Sequence, residues 1–212
     1  MARTTATPGR TQRERSAATT AELIDAARGL FAADGYAATL LEDVVREAGV
    51  TKGALYHHFA GKRELFRAVF EREQRALAAA VTDAYARERD PWEGFHAGCR
   101  SFLEASLDPG VQRITLLDAP AALGWEAMRA IEAGYSLAML REGLEIAIAK
   151  GRIAPRPVAP LAHMLLGAIC EGAMMTARSE DQPATAREVL AELTAQLDAL
   201  ARDDREHSPD GN

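Results

Sequence analysis

The sequence predicts an all-α protein. Apolar residues recur at helical three- and four-residue spacing over nearly everything after residue 18, and no strand-like two-residue alternation of any length occurs. Gly and Pro stand where such helices need ends. At 212 residues, with 48% apolar and 26% charged side chains, the composition is that of an ordinary globular chain with one generous core or two small ones. There is no internal repeat, no phosphate-binding loop and no dinucleotide-binding glycine pattern.

Taken in order, Leu23, Ala26, Ala27, Leu30 and Phe31 form the first helical stripe; Asp34-Gly35 ends it, and Tyr36 is placed to pack back on the bundle. Thr39 and Glu42 have the spacing of a capping box, which opens a second helix with Leu41, Val44, Val45 and Ala48 on its buried face. Gly49 suits the left-handed end of that helix, and Thr51 suits the cap of the next. In this third helix Ala54, Leu55 and Phe59 are apolar, whereas Lys52, Tyr56, His57 and His58 are not. Two short helices joined by a tight glycine turn make a helix-turn-helix, whose second helix enters the DNA major groove.

Beyond Gly61-Lys62, a long Ala-rich helix is expected from Glu64 to about Glu88. Pro91 suits the first turn of another, carrying Phe95, Cys99, Phe102 and Leu103 as far as Asp108-Pro109-Gly110. A short helix around 111–118 stops at Pro120, and a helical pattern then runs from Trp125 through Met128, Ile131, Tyr135, Leu140, Leu144 and Ile148 to a Lys150-Gly151 end. After the prolines at 155, 157 and 160, Val158, Leu161, Ala162, Leu165, Ile169 and Ala173 share one helix face, ending near Ser179. Val189, Leu190, Leu193, Leu197 and Leu200 then form a stripe of the kind found in packed bundle seams. Residues 204–212 form a polar tail, expected to be disordered.

The formal net charge of −6 argues against a nucleic-acid partner when taken alone. The charge is uneven: residues 1–75 hold 12 of the 25 Lys/Arg against 10 of the 31 Asp/Glu, leaving 13 against 21 for the rest. A basic end on an acidic body suits a protein that presents one end to phosphates. Arg3, Arg10, Arg13 and Arg15 make residues 1–18 a basic arm, expected to be disordered, with an organelle transit peptide as the alternative. Two cysteines, Cys99 and Cys170, imply no disulfide framework and a reducing cytoplasm. The longest apolar run, 161–170, is too short to span a bilayer and is interrupted by His163, so no membrane association is expected.

The stretch EDVVREAGVTKGALYHHFAGKRELF at 42–66 resembles the signature of the tetracycline-repressor (TetR) family of bacterial transcription regulators, and Leu23 to Tyr36 resembles that family's first helix. RITLLDAPAALGWE at 113–126 resembles a recurring subgroup of the family's regulatory domains. The specific match covers roughly a third of the chain. The resemblance implies a helix-turn-helix DNA-binding domain at 19–66 and a helical ligand-binding and dimerisation domain at 67–203. It further implies a cytoplasmic homodimeric repressor, released from a near-palindromic double-stranded DNA operator by a small-molecule effector that the sequence does not name. No enzymatic activity, cofactor or metal is expected.

Carried over by motif, the DNA-binding residues are Thr39, Thr51, Lys52, Ala54, Leu55, Tyr56, His57 and Lys62. Thr51 and Lys52 open the recognition helix, Tyr56 and His57 lie along it, and Thr39 and Lys62 are expected phosphate contacts. Several have a purely structural alternative: Leu55 as a core anchor, Thr39 and Thr51 as caps, His58 as a support. Arg10, Arg13 and Arg15 either enter the minor groove or add only long-range attraction.

In the body, Phe95, His96, Cys99, Phe102, Trp125, Tyr135, Met139, His163 and Met174 are candidates for lining an effector pocket, with ordinary core packing as the alternative. Under the resemblance, Leu161, Leu165, Ile169, Leu190, Leu193, Leu197 and Leu200 are assigned to the dimer interface. His96 and Cys99 share one helix face and His163 and Cys170 another, so their meeting would give a metal- or redox-sensing regulator. A ligand-independent architectural dimer is the other alternative.

Overall fold

The computed structural model describes residues 11–201, and all statements below concern them. Eleven α-helices and one π-helical stretch account for nearly all of this length, with no strand. The chain divides into two compact units, 1–69 and 70–212.

The first unit holds α1 (Gln12–Ala38), α2 (Leu41–Glu47), α3 (Lys52–His58) and the start of α4 (Lys62–Ala86). Its core is built on Leu23, Ala27, Phe31, Val44, Leu55, Leu65 and Phe66, none of which is exposed. Tyr36 does pack back, with its ring edge-on to Phe66 at 5.0 Å while Phe66 meets Phe31 at 5.1 Å. That packing depends on Gly35, whose φ of 83° breaks α1 and turns the chain.

Two expectations are corrected in this unit. The disordered arm does not extend over 12–18: α1 begins at Gln12, because Thr11 and Glu14 form a reciprocal capping box. Arg3, Arg10 and the rest of 1–10 lie outside the described residues, as does the tail at 204–212. Nor does the Thr39–Glu42 capping box form. Thr39 ends α1 instead, its amide and its hydroxyl both donating to the Gly35 carbonyl, and α2 is preceded by Leu40, which offers no side-chain cap.

The second unit holds the remainder of α4, then α5 (Pro91–Ala105), α6 (Pro109–Gln112), the π-helical Arg113–Asp118, α7 (Ala119–Leu123), α8 (Trp125–Ala133), α9 (Ser136–Ala149), α10 (Val158–Ala177) and α11 (Gln182–Asp198). Asp90, Asp108 and Asp181 cap α5, α6 and α11, each followed by a proline in the first turn. Pro120 does not stop the 111–118 segment. It sits in the first turn of α7, where its missing N–H costs nothing, and Gly124 ends the run. The pattern from Trp125 to Lys150 is broken at Gly134-Tyr135 into α8 and α9.

The core of this unit is where α10 packs against α9, α11 and α5. Leu165, Ile169, Leu193 and Leu197 are buried there, and Leu161, Leu190 and Leu200 pack against them. The leucine stripe assigned to a dimer interface is therefore the seam between helices of one chain. Leu161, Leu190 and Leu200 remain partly exposed at its edge. The opposite face of α10 carries Met164, 72% exposed, and Met175, 51% exposed. By length and composition alone α10 could cross a bilayer, with a mean hydropathy of 1.5, but it is packed against α5, α6, α9 and α11.

Candidate nucleic-acid interface and body cavity

In the first unit, α3 is fixed from one side only. The Thr51 hydroxyl accepts from the Ala54 amide at 3.1 Å, and Leu55 and Phe59 are buried beneath the helix. The other side presents Lys52, Gly53, Tyr56 and His57, with Tyr56 half exposed although its ring is large and mostly apolar. A short helix held by a small core, with an aromatic hydroxyl, an imidazole and an ammonium facing outward, has the chemistry of a surface that meets phosphates and base edges.

Lys52 is not alone on this surface. Its ammonium donates to the Glu42 carboxylate at 2.7 Å; this hydrogen bond holds the Glu42 carboxyl below its ordinary range and raises Lys52. Sequence reasoning placed Glu42 in a capping box and missed this pairing across the turn. The signal was available, since a glutamate in the first turn of α2 and a lysine opening α3 stand on adjacent helix starts.

Three of the expected DNA contacts have other engagements. Thr39 is buried, and its hydroxyl proton is given to Gly35, so it cannot reach a phosphate from this position. Leu55 has no exposed surface and is a core anchor. Lys62 donates to the Ala37 carbonyl at 3.0 Å and lies 4.7 Å above the Tyr36 ring, leaving two of its three protons for other acceptors. Ala54 is half buried. His58 contacts the Thr20 hydroxyl at 3.2 Å, in keeping with a supporting role.

The second unit holds a part-open cavity of about 230 Å³. Of the pocket candidates, Phe95, Cys99, Phe102 and Met139 line it; His96, Trp125, Tyr135, His163 and Met174 do not. His96 turns instead toward α11, with Nδ1 3.8 Å from Asp198 and its ring edge-on to Trp92. Trp125 is 61% exposed beneath the Arg129 guanidinium, 4.4 Å from its ring centre. His163 is exposed, with Nδ1 at 2.8 Å from the carbonyl of Ala159 on its own helix. Tyr135 stands at the break between α8 and α9, and Met174 is half buried on α10.

Sequence reasoning missed the wall contributed by α4: Ala78, Val81, Thr82 and Tyr85 all line the cavity. It also missed Gly143. A Cβ there would meet the Phe95 ring at 2.4 Å, so only glycine lets that ring lie against α9. Trp92 stacks on Phe95 at 5.4 Å and 10° and fixes it further.

The metal or redox alternative does not assemble. Among the described residues no three His, Cys, Asp or Glu side chains gather as a metal site, and His163 is exposed whereas Cys99 is buried. Burial pushes the thiols of Cys99 and Cys170 up to about 12, which keeps both protonated and poorly nucleophilic at neutral pH.

Residues 23–69 match the family described as bacterial regulatory proteins, tetR family, and residues 92–200 match the tetracyclin repressor-like C-terminal domain. A TetR-family transcriptional regulator from Pectobacterium atrosepticum superposes with a TM-score of 0.78 at 33% identity, covering 92% of this chain and 99% of that one. The transposon Tn10 TetC protein of Escherichia coli is 27% identical over 58% of this chain, and the HTH-type transcriptional regulator TtgW of Pseudomonas putida is 40% identical over 44% of it. These alignments span 62% and 63% of those two proteins, so the chain matches about three-fifths of each.

Proposed function

This chain belongs to the TetR family of helix-turn-helix transcriptional regulators, and from that premise we propose that it is a cytoplasmic, homodimeric repressor whose operator affinity is lowered by a small molecule bound in the body cavity. The observation that carries the reading is α4. One uninterrupted helix begins at Lys62 in the DNA-binding unit and supplies Ala78, Val81, Thr82 and Tyr85 to the cavity wall. An occupant of the cavity therefore touches the helix whose first turns belong to the head.

In this reading α3 lies in the major groove, with Thr51, Lys52, Ala54, Tyr56 and His57 toward the duplex and the remaining Lys62 protons toward a phosphate. Arg13 and Arg15, exposed on the first turn of α1, add attraction at the flank. Two copies joined through α10 and α11 would set two α3 helices about one DNA turn, roughly 34–36 Å, apart and read a near-palindromic site. The exposed Met164 and Met175 face of α10 supports that use of the helix and accounts for its high hydropathy without a membrane. The effector binds better to the arrangement whose heads are wrongly spaced, and operator affinity falls by the ratio of its two affinities.

The test is fluorescence anisotropy of DNA flanking the protein's own gene. The native protein should bind it with a steep salt dependence. Tyr56→Ala should weaken binding about tenfold on any sequence, and Lys52→Ala should lower the salt slope by about one. If both variants, folded by circular dichroism, bind with native affinity and slope, the α3 surface is not the DNA contact.

A further inference from the structure

Acceptors predominate among the polar atoms around the cavity. Ser136, which is buried, donates its hydroxyl proton to Gln74 Oε1 at 2.9 Å; Thr82, which is exposed, donates to the Ala78 carbonyl at 2.9 Å. With those protons engaged, both oxygens are left as acceptors on the cavity wall. Glu142, the one charged side chain of the wall, is also an acceptor. Among the described residues no Lys, Arg or His lines the cavity. The Tyr85 phenol can act either way, and the Cys99 thiol is only a weak donor.

An anion placed here would be desolvated with no cation to meet it and would face Glu142 besides. A neutral molecule with a single proton to give finds acceptors waiting. The rest of the wall is aliphatic and aromatic, with Phe95 held rigidly between Trp92 and the bare α9 backbone at Gly143. Apolar cavities of about 150 Å³ admit one benzene ring, so the cavity of about 230 Å³ has room for a substituted ring or two fused rings.

We propose that the effector is an uncharged, ring-bearing hydrogen-bond donor, of the phenol or aryl-amine type, and that anionic ligands are rejected. The inference rests on the reading that this cavity is the effector site, and it names the chemistry that the site selects. Ser136 is the specificity-determining acceptor at the buried side.

Isothermal calorimetry on the full-length protein at neutral pH, with three probes of one skeleton, tests this. The expectation is one-to-one binding of 2-naphthol. The methyl ether 2-methoxynaphthalene, which has lost only the donated proton, should bind about fivefold to tenfold more weakly. The carboxylate 2-naphthoate should bind at least about tenfold more weakly than 2-naphthol. Ala78→Phe, which fills the cavity from α4, should abolish the naphthol heat while the thermal transition persists. Ser136→Ala should bring naphthol and its methyl ether to within about twofold of each other. The proposal is overturned if 2-naphthoate equals or exceeds 2-naphthol, if the methyl ether matches it in the native protein, or if no probe binds at millimolar concentration. Anisotropy on the operator DNA, run without probes, reports on the regulator reading separately: DNA binding with any of these calorimetric failures leaves that reading standing, and loss of DNA binding leaves the calorimetric selectivity intact.

Discussion

The two units of this chain build their sites in opposite ways. The head presents a convex site on one seven-residue helix, where residues that point outward alternate with the two anchors, Leu55 and Phe59, that hold them. The body encloses a concave site whose wall draws on α4, α5, α9 and α10, so that Val81, Phe95, Met139 and Leu166 meet from across almost ninety positions of sequence. Sequence distance is what separates them: the first site is written in local periodicity, the second in how helices pack.

Removing one anchor of the head core tests whether the body responds to the loss. Phe66 is fully buried between Phe31 and Tyr36, so Phe66→Ala should cost about 3–5 kcal/mol, comparable to the stability of a small domain. The expected outcome is loss of operator binding with one calorimetric transition lowered or missing, while 2-naphthol binding persists. Loss of both activities together would mean that the two units fold as one.

The reciprocal change is Gly143→Ala in the body. The added Cβ meets the Phe95 ring at 2.4 Å, and that ring cannot retreat because Trp92 stacks on it. Overpacking of this kind costs about 1–3 kcal/mol. Displacing Phe95 should also shrink the cavity, so that 2-naphthol affinity falls while DNA affinity in its absence is native. Native probe affinity would show that Phe95 does not shape the site.

The same contrast explains what could be read from the sequence. Helix order, the glycine turn at Gly49, the Thr51 cap and the outward Lys52, Tyr56 and His57 follow from spacings of two to four residues. Errors in the head also came from local rules, in places where two of them competed. Thr39 satisfies the spacing of a capping box, yet the end of α1 claims its hydroxyl first, because the break at Gly35 leaves a carbonyl open there. Thr11 and Glu14, with no such competitor, form the box that was expected at Thr39 and Glu42. In the body, composition picked out Phe95, Cys99, Phe102 and Met139 but could not separate them from Trp125 and His163, which differ only in which way their helix faces. The leucine stripe was legible as a seam; whether it joins helices of one chain or of two is not a property of the stripe. The α4 wall, made of Ala, Val, Thr and Tyr, carries no compositional signal at all.

A milder perturbation tests whether the head surface depends on local capping. Thr51→Ala removes the acceptor of the Ala54 amide, at a cost of about 1 kcal/mol to the start of α3. DNA affinity should fall severalfold, and Thr51→Ser, which keeps the oxygen, should restore most of it. If Ser and Ala behave alike, Thr51 matters through its methyl group and not as a cap.

The smallest expected effect is a pH dependence confined to the body. His96 lies below its ordinary value of 6.5, chiefly because burial disfavours the imidazolium; Asp198 and Glu93 pull it up and Arg100 pushes it down. The unfolded chain therefore binds a proton that the folded chain resists, so stability rises with pH between the folded and the unfolded pKa and is lost as pH falls below 6.5. Glu132 acts in the opposite sense: burial raises its carboxyl, against the pull of Arg129, so the folded state gains stability from it as pH falls toward 4.5. His96→Phe separates the two, since the ring volume beside Trp92 is kept and the titration removed. The melting temperature of the native protein should drop more than that of the variant between about pH 7 and pH 5.5. Identical slopes would mean that the His96 proton is taken up equally by both states, through Asp198, and that the buried face of α5 tolerates a charge.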